Sequence, residues 1–168
     1  MFINRLKAKI LQETNNEIVA LADGKLISLD KVKDEVFSKR IMGDGIAIEL
    51  TGNMIVAPAS GTIKMLFPTM HAFGLVLDNG IEILVHVGLD TVELKGKGFK
   101  RFVNVNAKVR KGDPIIQIDK EFIEREGYDT TALMIFTSCN DYQISLSQEG
   151  MVKKGKSVVA TFTKLNRT

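Results

Sequence analysis

The sequence predicts an all-β fold: a single-domain β-sandwich or flattened barrel of two related halves, with only short helical turns. Three observations lead there. Turn signals recur about every eight to twelve residues, at Asp23-Gly24, Gly43-Asp44-Gly45, Thr51-Gly52-Asn53, Ser60-Gly61, Asn79-Gly80, Gly96, Gly98, Lys111-Gly112-Asp113, Gly150 and Gly155. Short runs rich in β-branched residues fill the intervals, the pattern of a sandwich or barrel. Two segments also recur. Ala20-Leu-Ala-Asp-Gly24-Lys-Leu-Ile aligns with Ala57-Pro-Ala-Ser-Gly61-Thr-Ile-Lys, and Val109-Arg-Lys-Gly112-Asp-Pro-Ile-Ile with Val152-Lys-Lys-Gly155-Lys-Ser-Val-Val. These echoes suggest two halves closing one β-structure, and not a stacking solenoid.

At the N-terminus, Phe2, Ile3, Leu6 and Ile10 fall near one helical face, with Arg5, Lys7 and Lys9 elsewhere. Residues 1–11 therefore read as an interfacial amphipathic helix with weak membrane-surface contact, or as a frayed or packed helix. Gln12 to Asn16 is a polar linker, so residues 1–16 are expected to stand apart from one domain over 17–168. Two further helical stretches are expected, Leu29–Arg40 and Lys120–Gly127. In the first, Val32, Val36 and Phe37 are spaced for one side of a turn.

Composition narrows the function classes. A chain of 168 residues suits one core. It has no run of about 18 apolar residues and no signal-peptide pattern, so a cytoplasmic protein is expected, peripheral to the membrane at most. The single Cys139 excludes an internal disulfide framework. A net charge of +3 with mixed signs argues against nucleic acid as a partner.

The chain has two histidines, His71 and His86, flanking Asn79-Gly80. Asn-Gly between apolar runs is a strong hairpin signal, usually with a two-residue loop. In that register His86 faces Phe73 and His71 faces Gly88. Both rings then share one face as diagonal neighbours, with Cα atoms about 7–8 Å apart. A three-residue loop without a bulge would put them on opposite faces. Along the second strand Ile81, Ile83, Val85 and Val87 point to the core, and Glu82, Leu84 and His86 point away. Phe73 and Leu84 are expected at the surface beside His86, and both rings uncovered. Near neutral pH an imidazole can be a base, a metal ligand or a nucleophile. Acyl transfer lacks an activated nucleophile, and a structural zinc site needs about four ligands, more than this pair supplies. Phosphoryl transfer suits the pair best, one ring attacking and the other steadying charge.

The run Gly80-Ile-Glu-Ile-Leu-Val-His86-Val-Gly88-Leu-Asp90-Thr91-Val92-Glu93-Leu94-Lys95-Gly96 resembles the phosphorylation-site signature of the glucose-type enzyme IIA of the bacterial sugar phosphotransferase system. Gly43-Asp44-Gly45-Ile46-Ala47-Ile48, Ala57-Pro58-Ala59-Ser60-Gly61-Thr62-Ile63, Phe67-Pro68-Thr69-Met70-His71-Ala72-Phe73 and Gly98-Phe99 add to it in the same order. Ala20-Leu21 departs from the usual Ala-Pro, and Ser138 to Gly150 matches poorly. The resemblance implies that His86 carries the phosphoryl group on Nε2 and that His71 helps pass it on. It implies that Thr69 hydrogen-bonds His71 and that the Gly88 carbonyl orients His86. It implies phosphoryl transfer from HPr to the IIB domain of a sugar permease without cofactor. Asp34 and Asp90 would meet a basic residue of the donor. Val36, Phe37, Ile41, Met42, Phe67, Phe73, Leu84 and Val92 would form an apolar docking ring. Regulated transporters or kinases are further candidate partners, as is a zinc ion shared between His71, His86 and a partner.

Two rival readings remain open on the residues alone. A biotinyl- or lipoyl-like carrier would need a lysine at a hairpin tip, for which Lys64 is the candidate. A zinc hydrolase would use His71 and His86 as ligands. Lys95-Gly-Lys-Gly-Phe-Lys-Arg101 lacks P-loop spacing and reads as a solvated basic loop, and Cys139 as structural or incidental.

Overall fold

The computed structural model describes residues 3–5 and 16–166, which are built mainly on fourteen short strands joined by turns and loops. In chain order they are β1 (Glu17–Val19), β2 (Gly24–Ser28), β3 (Gly45–Leu50), β4 (Met54–Val56), β5 (Gly61–Leu66), β6 (Ala72–Leu77), β7 (Glu82–Val87), β8 (Phe99–Arg101), β9 (Lys108–Val109), β10 (Pro114–Ile118), β11 (Ala132–Ser138), β12 (Tyr142–Leu146), β13 (Gly150–Val152) and β14 (Val158–Lys164). Single turns of 3-10 helix lie at Leu29–Lys31 and Thr91–Leu94, and α1 (Glu35–Ser38) and α2 (Lys120–Arg125) complete the set. Residues 3–5 form a helical turn with exposed side chains. The remainder of the expected amphipathic segment lies outside the described residues. Among the described residues no helix is long and apolar enough to cross a membrane.

The strands form one eight-stranded antiparallel sheet, ordered β13-β2-β3-β11-β7-β6-β5-β9, and two three-stranded ones, β1-β14-β12 and β4-β10-β8. The long sheet is a palindrome of the two repeats. Gly24 pairs with Leu50 on one side and Val152 on the other, and its counterpart Gly61 pairs with Leu77 and Val109. Both positions demand glycine for the same reason. A Cβ on Gly24 would lie 2.1 Å from the Glu49 carbonyl oxygen, and one on Gly61 2.3 Å from that of Val76. The halves also exchange hydrogen bonds: Val19 N–H donates to Pro58 O (2.9 Å) and Val56 N–H to Leu21 O (2.7 Å). The two Val-x-Lys-Gly turns repeat the theme, Gly112 N–H donating to Ala57 O and Gly155 N–H to Ala20 O, both at 2.8 Å.

Residues from all three sheets fill the main core, among them Ile18, Leu26, Ile55, Phe73, Ile83, Ile116, Met134 and Val159. A smaller apolar cluster lies on the other face of the long sheet, where Leu29, Val32 and Phe37 pack on Ile27, Ala47, Leu89, Leu133 and Ile135. The helical stretch expected over Leu29–Arg40 is two separate short turns. Ser28 Oγ accepts from Asp30 N–H, and the extended Asp34 (φ −141°) accepts from Val36 N–H. These local side-chain bonds compete with helix continuation and split the segment. Lys120–Arg125 is helical as expected, capped by Asp119, and Gly127 past its end is left-handed (φ +91°). The segment 29–42 positions the site, because it covers the outer face of the sheet beside β7.

Candidate active site

The hairpin β6–β7 carries both histidines, through a register one residue from the expected one. Its loop has three residues, Asp78-Asn79-Gly80. Leu77 N–H donates to Ile81 O and Gly80 N–H to Leu77 O, both at 2.9 Å, with Gly80 at φ +90°. His86 therefore faces Ala72, and Phe73 faces Val85. A one-residue slip exchanges the faces of a strand. Phe73 accordingly points into the main core and is fully buried, so it is not a surface docking residue. Strict alternation would now separate the two histidines. It does not govern His71, which precedes β6 and follows a turn closed by Met70 N–H to Phe67 O (2.8 Å), with Met70 left-handed at φ +59°. That bend replaces parity, and the two rings meet with centroids 5.0 Å apart and planes at 76°.

Each imidazole is held by its Nδ1. His86 Nδ1 lies 2.7 Å from the Gly88 carbonyl oxygen, an acceptor, so Nδ1 carries the proton and Nε2 presents its lone pair. His71 Nδ1 lies 2.6 Å from Thr69 Oγ1. Gly88 is itself fixed. Its N–H donates to Thr131 O (2.9 Å), Leu89 N–H donates to Asp129 O (2.9 Å), and Thr91 Oγ1 donates to Val87 O (2.6 Å). Gly88 has φ +82°, and a Cβ there would lie 2.4 Å from Thr91 Cγ2. Only glycine fits.

The pocket around the rings is apolar. Phe37 stands 5.1 Å from His86 and Phe67 5.2 Å from His71, centroid to centroid. Ala72 and Leu133 are the neighbours of His86 across the sheet. His86 is half-buried, whereas His71 is only 5% exposed, against the expectation of two uncovered rings. The reason is the packing of Phe67 and His86 over it. Burial holds His71 well below the ordinary histidine range, to about 4, and the neighbouring His86 adds to this. Burial also lowers His86, opposed by the Gly88 carbonyl and by the charges of Asp34 and Asp90. Both rings are therefore neutral at pH 7.

Around them Val36, Ile41, Met42, Phe67 and Val92 are exposed, and Ile41 is 70% so. Leu84 is half-buried against the outer cluster, and Phe37 is buried, its ring tilted 55° to that of His86 and showing little to solvent. Asp34 is half-buried and caps α1. Asp90 is exposed and left-handed (φ +59°), with no side-chain capping bond. The sequence reading missed Thr91, Ala72 and Met70, although all three lie inside motifs it quoted. Lys64 sits at an irregularity within β5 and not at a hairpin tip. Lys95, Lys97, Lys100 and Arg101 are exposed, as is Cys139. Among the described residues no three His, Cys, Asp or Glu side chains gather, so a metal at the pair would need ligands from elsewhere. The surface clefts lined by Tyr142 and Phe162, and by Tyr128 and Thr130, do not include the histidines.

A neutral, oriented imidazole on an exposed apolar face, outside those clefts, is the arrangement of a group carrier that works by docking. Comparison with known proteins agrees. Residues 16–142 match the family described as phosphoenolpyruvate-dependent sugar phosphotransferase system, EIIA 1. Over 165 residues the chain is 39% identical to the PTS system glucose-specific EIIA component of Buchnera aphidicola subsp. Baizongia pistaciae, covering 97% of this chain and 98% of that one. Over 127 residues it is 43% identical to the glucose-specific EIICBA component of Streptococcus pneumoniae, covering 76% of this chain but 18% of that longer protein. The solved glucose permease IIA from Mycoplasma capricolum superposes with a TM-score of 0.79 at 41% identity, covering 86% of this chain and 93% of that one. The chain belongs to the EIIA 1 family of the phosphoenolpyruvate-dependent sugar phosphotransferase system. It is a phosphotransferase component with the sandwich fold of that family, and neither a biotinyl-type carrier nor a zinc hydrolase is supported.

Proposed function

We propose that His86 accepts a phosphoryl group from the phosphohistidine of HPr and passes it to a cysteine of a IIB domain serving a glucose-class permease. The observation that carries this reading is the pair of rings 5.0 Å apart with His86 Nδ1 on the Gly88 carbonyl. In the first step the Nε2 lone pair of His86 forms the new N–P bond. The donor's N–P bond breaks, and the donor ring keeps that electron pair. In the second step a thiolate forms the S–P bond and His86 recovers its lone pair. The Thr69 hydroxyl donates to His71 Nδ1, which leaves His71 Nε2–H aimed at the phosphoryl oxygens. Charge stabilisation by such preplaced donors is the main resource in phosphoryl transfer. The group arrives activated, so the reaction needs no cofactor. Asp34 and Asp90 set donor approach and specificity from the rim of the docking face.

Incubation with phosphoenolpyruvate, enzyme I and HPr should label the protein with an acid-labile phosphate. His86→Ala should abolish the label. His71→Gln should accept it and fail to donate it to membranes in the presence of glucose. Undiminished labelling of His86→Ala would remove the assignment.

A further inference from the structure

Residues 95–112 contain seven Lys and Arg and no Asp or Glu, while the rest of the chain holds 16 bases against 20 acids. The structure lays this stretch along two sheet edges. β8 is an outer strand of its three-stranded sheet and β9 an outer strand of the long sheet. The loop 102–107 between them is tied down by Phe102 N–H to Ile115 O (2.9 Å) and Asn106 N–H to Ile63 O (2.7 Å). Lys95, Lys97, Lys100, Arg101, Lys108 and Arg110 are exposed, and none forms an ion pair among the described residues. Elsewhere Lys31, Lys39, Arg40, Lys120 and Lys154 meet carboxylates, whereas Lys25, Lys33 and Lys64 form no ion pair among the described residues, so it is the clustering of the cations without acids that sets this edge apart.

The loop also presents two large apolar side chains, Phe102 (45% exposed) and Val105 (47%), with Lys100 Nζ 5.5 Å from the Phe102 ring centroid. Lysines on edge strands discourage strand pairing between molecules. That accounts for charge on β8 and β9, but not for exposed Phe102 and Val105 in the loop between them. Unpaired cations around an apolar tip fit a surface that is anionic outside and apolar just beneath.

We infer that this edge docks on an anionic lipid bilayer. Phe102 and Val105 enter the boundary between headgroups and acyl chains, and the lysines and arginines keep their charged ends among the headgroup phosphates. Single-stranded nucleic acid fits less well. Stacking platforms need successive aromatic faces, and the loop exposes one. The stretch begins beside the turn that carries His71, since a Cβ on Gly96 would lie 3.4 Å from Met70 Cε. A protein held by this edge keeps His86 close to a membrane-bound acceptor; that consequence rests on the phosphocarrier reading, whereas the lipid contact does not.

The test is sedimentation of the full chain with vesicles of phosphatidylcholine alone and of phosphatidylcholine with phosphatidylglycerol. Binding should appear only with the anionic vesicles and fall steeply with salt. Lys100→Glu/Lys108→Glu should lower it at least about 30-fold, the loss expected from removing two surface lysines before counting the added negative charge. Phe102→Ser/Val105→Ser should lower it at unchanged charge. Both variants should keep the parent's urea midpoint and its labelling by phosphorylated HPr, which separates this surface from the histidine site. Three results would overturn the inference: no pelleting of the parent, pelleting of both variants equal to the parent (binding carried elsewhere, such as residues 1–11), or binding to a single-stranded oligonucleotide without binding to vesicles.

Discussion

Gly88 holds the His86 ring with its carbonyl and is held in turn by its N–H bond to the Thr131 carbonyl and by the Thr91 side chain, which bonds the preceding Val87 carbonyl. Adding one methyl group there collides with Thr91 Cγ2 and strains a left-handed backbone. Gly88→Ala should therefore slow phosphoryl acceptance by on the order of 100-fold, the scale of a misplaced reacting group, with the folded circular dichroism spectrum retained. Parent-like single-turnover rates would show that the carbonyl does not orient the ring. The histidines also make stability depend on pH. Folded His71 titrates at about 4, below the ordinary 6.5, so the unfolded chain takes up a proton that the folded chain refuses. That contribution is intact above pH 6.5 and is lost progressively as pH falls towards 4, with His86 acting in the same direction. The urea midpoint should be lower at pH 5 than at pH 7, and His71→Gln should shrink the difference. Both histidines were legible in the sequence because the chain has only two, and Gly88 because it lies in a recognisable run with His86. The burial of His71 was not, since it depends on Phe67 and His86 folding over it.

The β6–β7 hairpin shows what a local motif leaves open. Asn79-Gly80 marks a turn, but serves a two-residue loop or, with Asp78, a three-residue one whose glycine is left-handed. The choice turns Phe73 from the surface to the core. The left-handed backbone of Met70 then brings His71 back beside His86, and no residue preference at Met70 announces it. On the other side of the ring, the segment 29–42 supplies Phe37 below and Val36, Ile41 and Met42 above, and Arg40 ties it down by pairing with Asp30 and Asp44. If these exposed side chains are docking contacts, Val36→Asp/Ile41→Asp should raise the HPr concentration needed for half-maximal labelling about tenfold or more, at an unchanged saturating rate. An unchanged concentration dependence would assign them no docking role.

Across the molecule the two repeats build one sheet whose strand order reads the same from both ends. The echoes at Gly24 and Gly61 made the doubling visible in the sequence, because each glycine lies against a carbonyl oxygen that no Cβ could clear. The central pairing of β7 with β11 was not visible: long-range partners leave no periodicity in either strand. Gly24→Ala and Gly61→Ala should each cost about 1–3 kcal/mol, the usual range for overpacking, measured as urea midpoints. A large loss at one position and none at the other would argue against their equivalence.

The duplication is unequal in what it bears. His71, His86 and Phe67 come from the second repeat, whereas Asp34, Val36 and Phe37 come from the first and reach the rings across the midline. Neither half owns a complete reactive face. A single-repeat protein could assemble such a centre only by self-association, and a two-fold pair would display it twice. With both repeats on one chain, one face carries the two histidines and the equivalent face carries none.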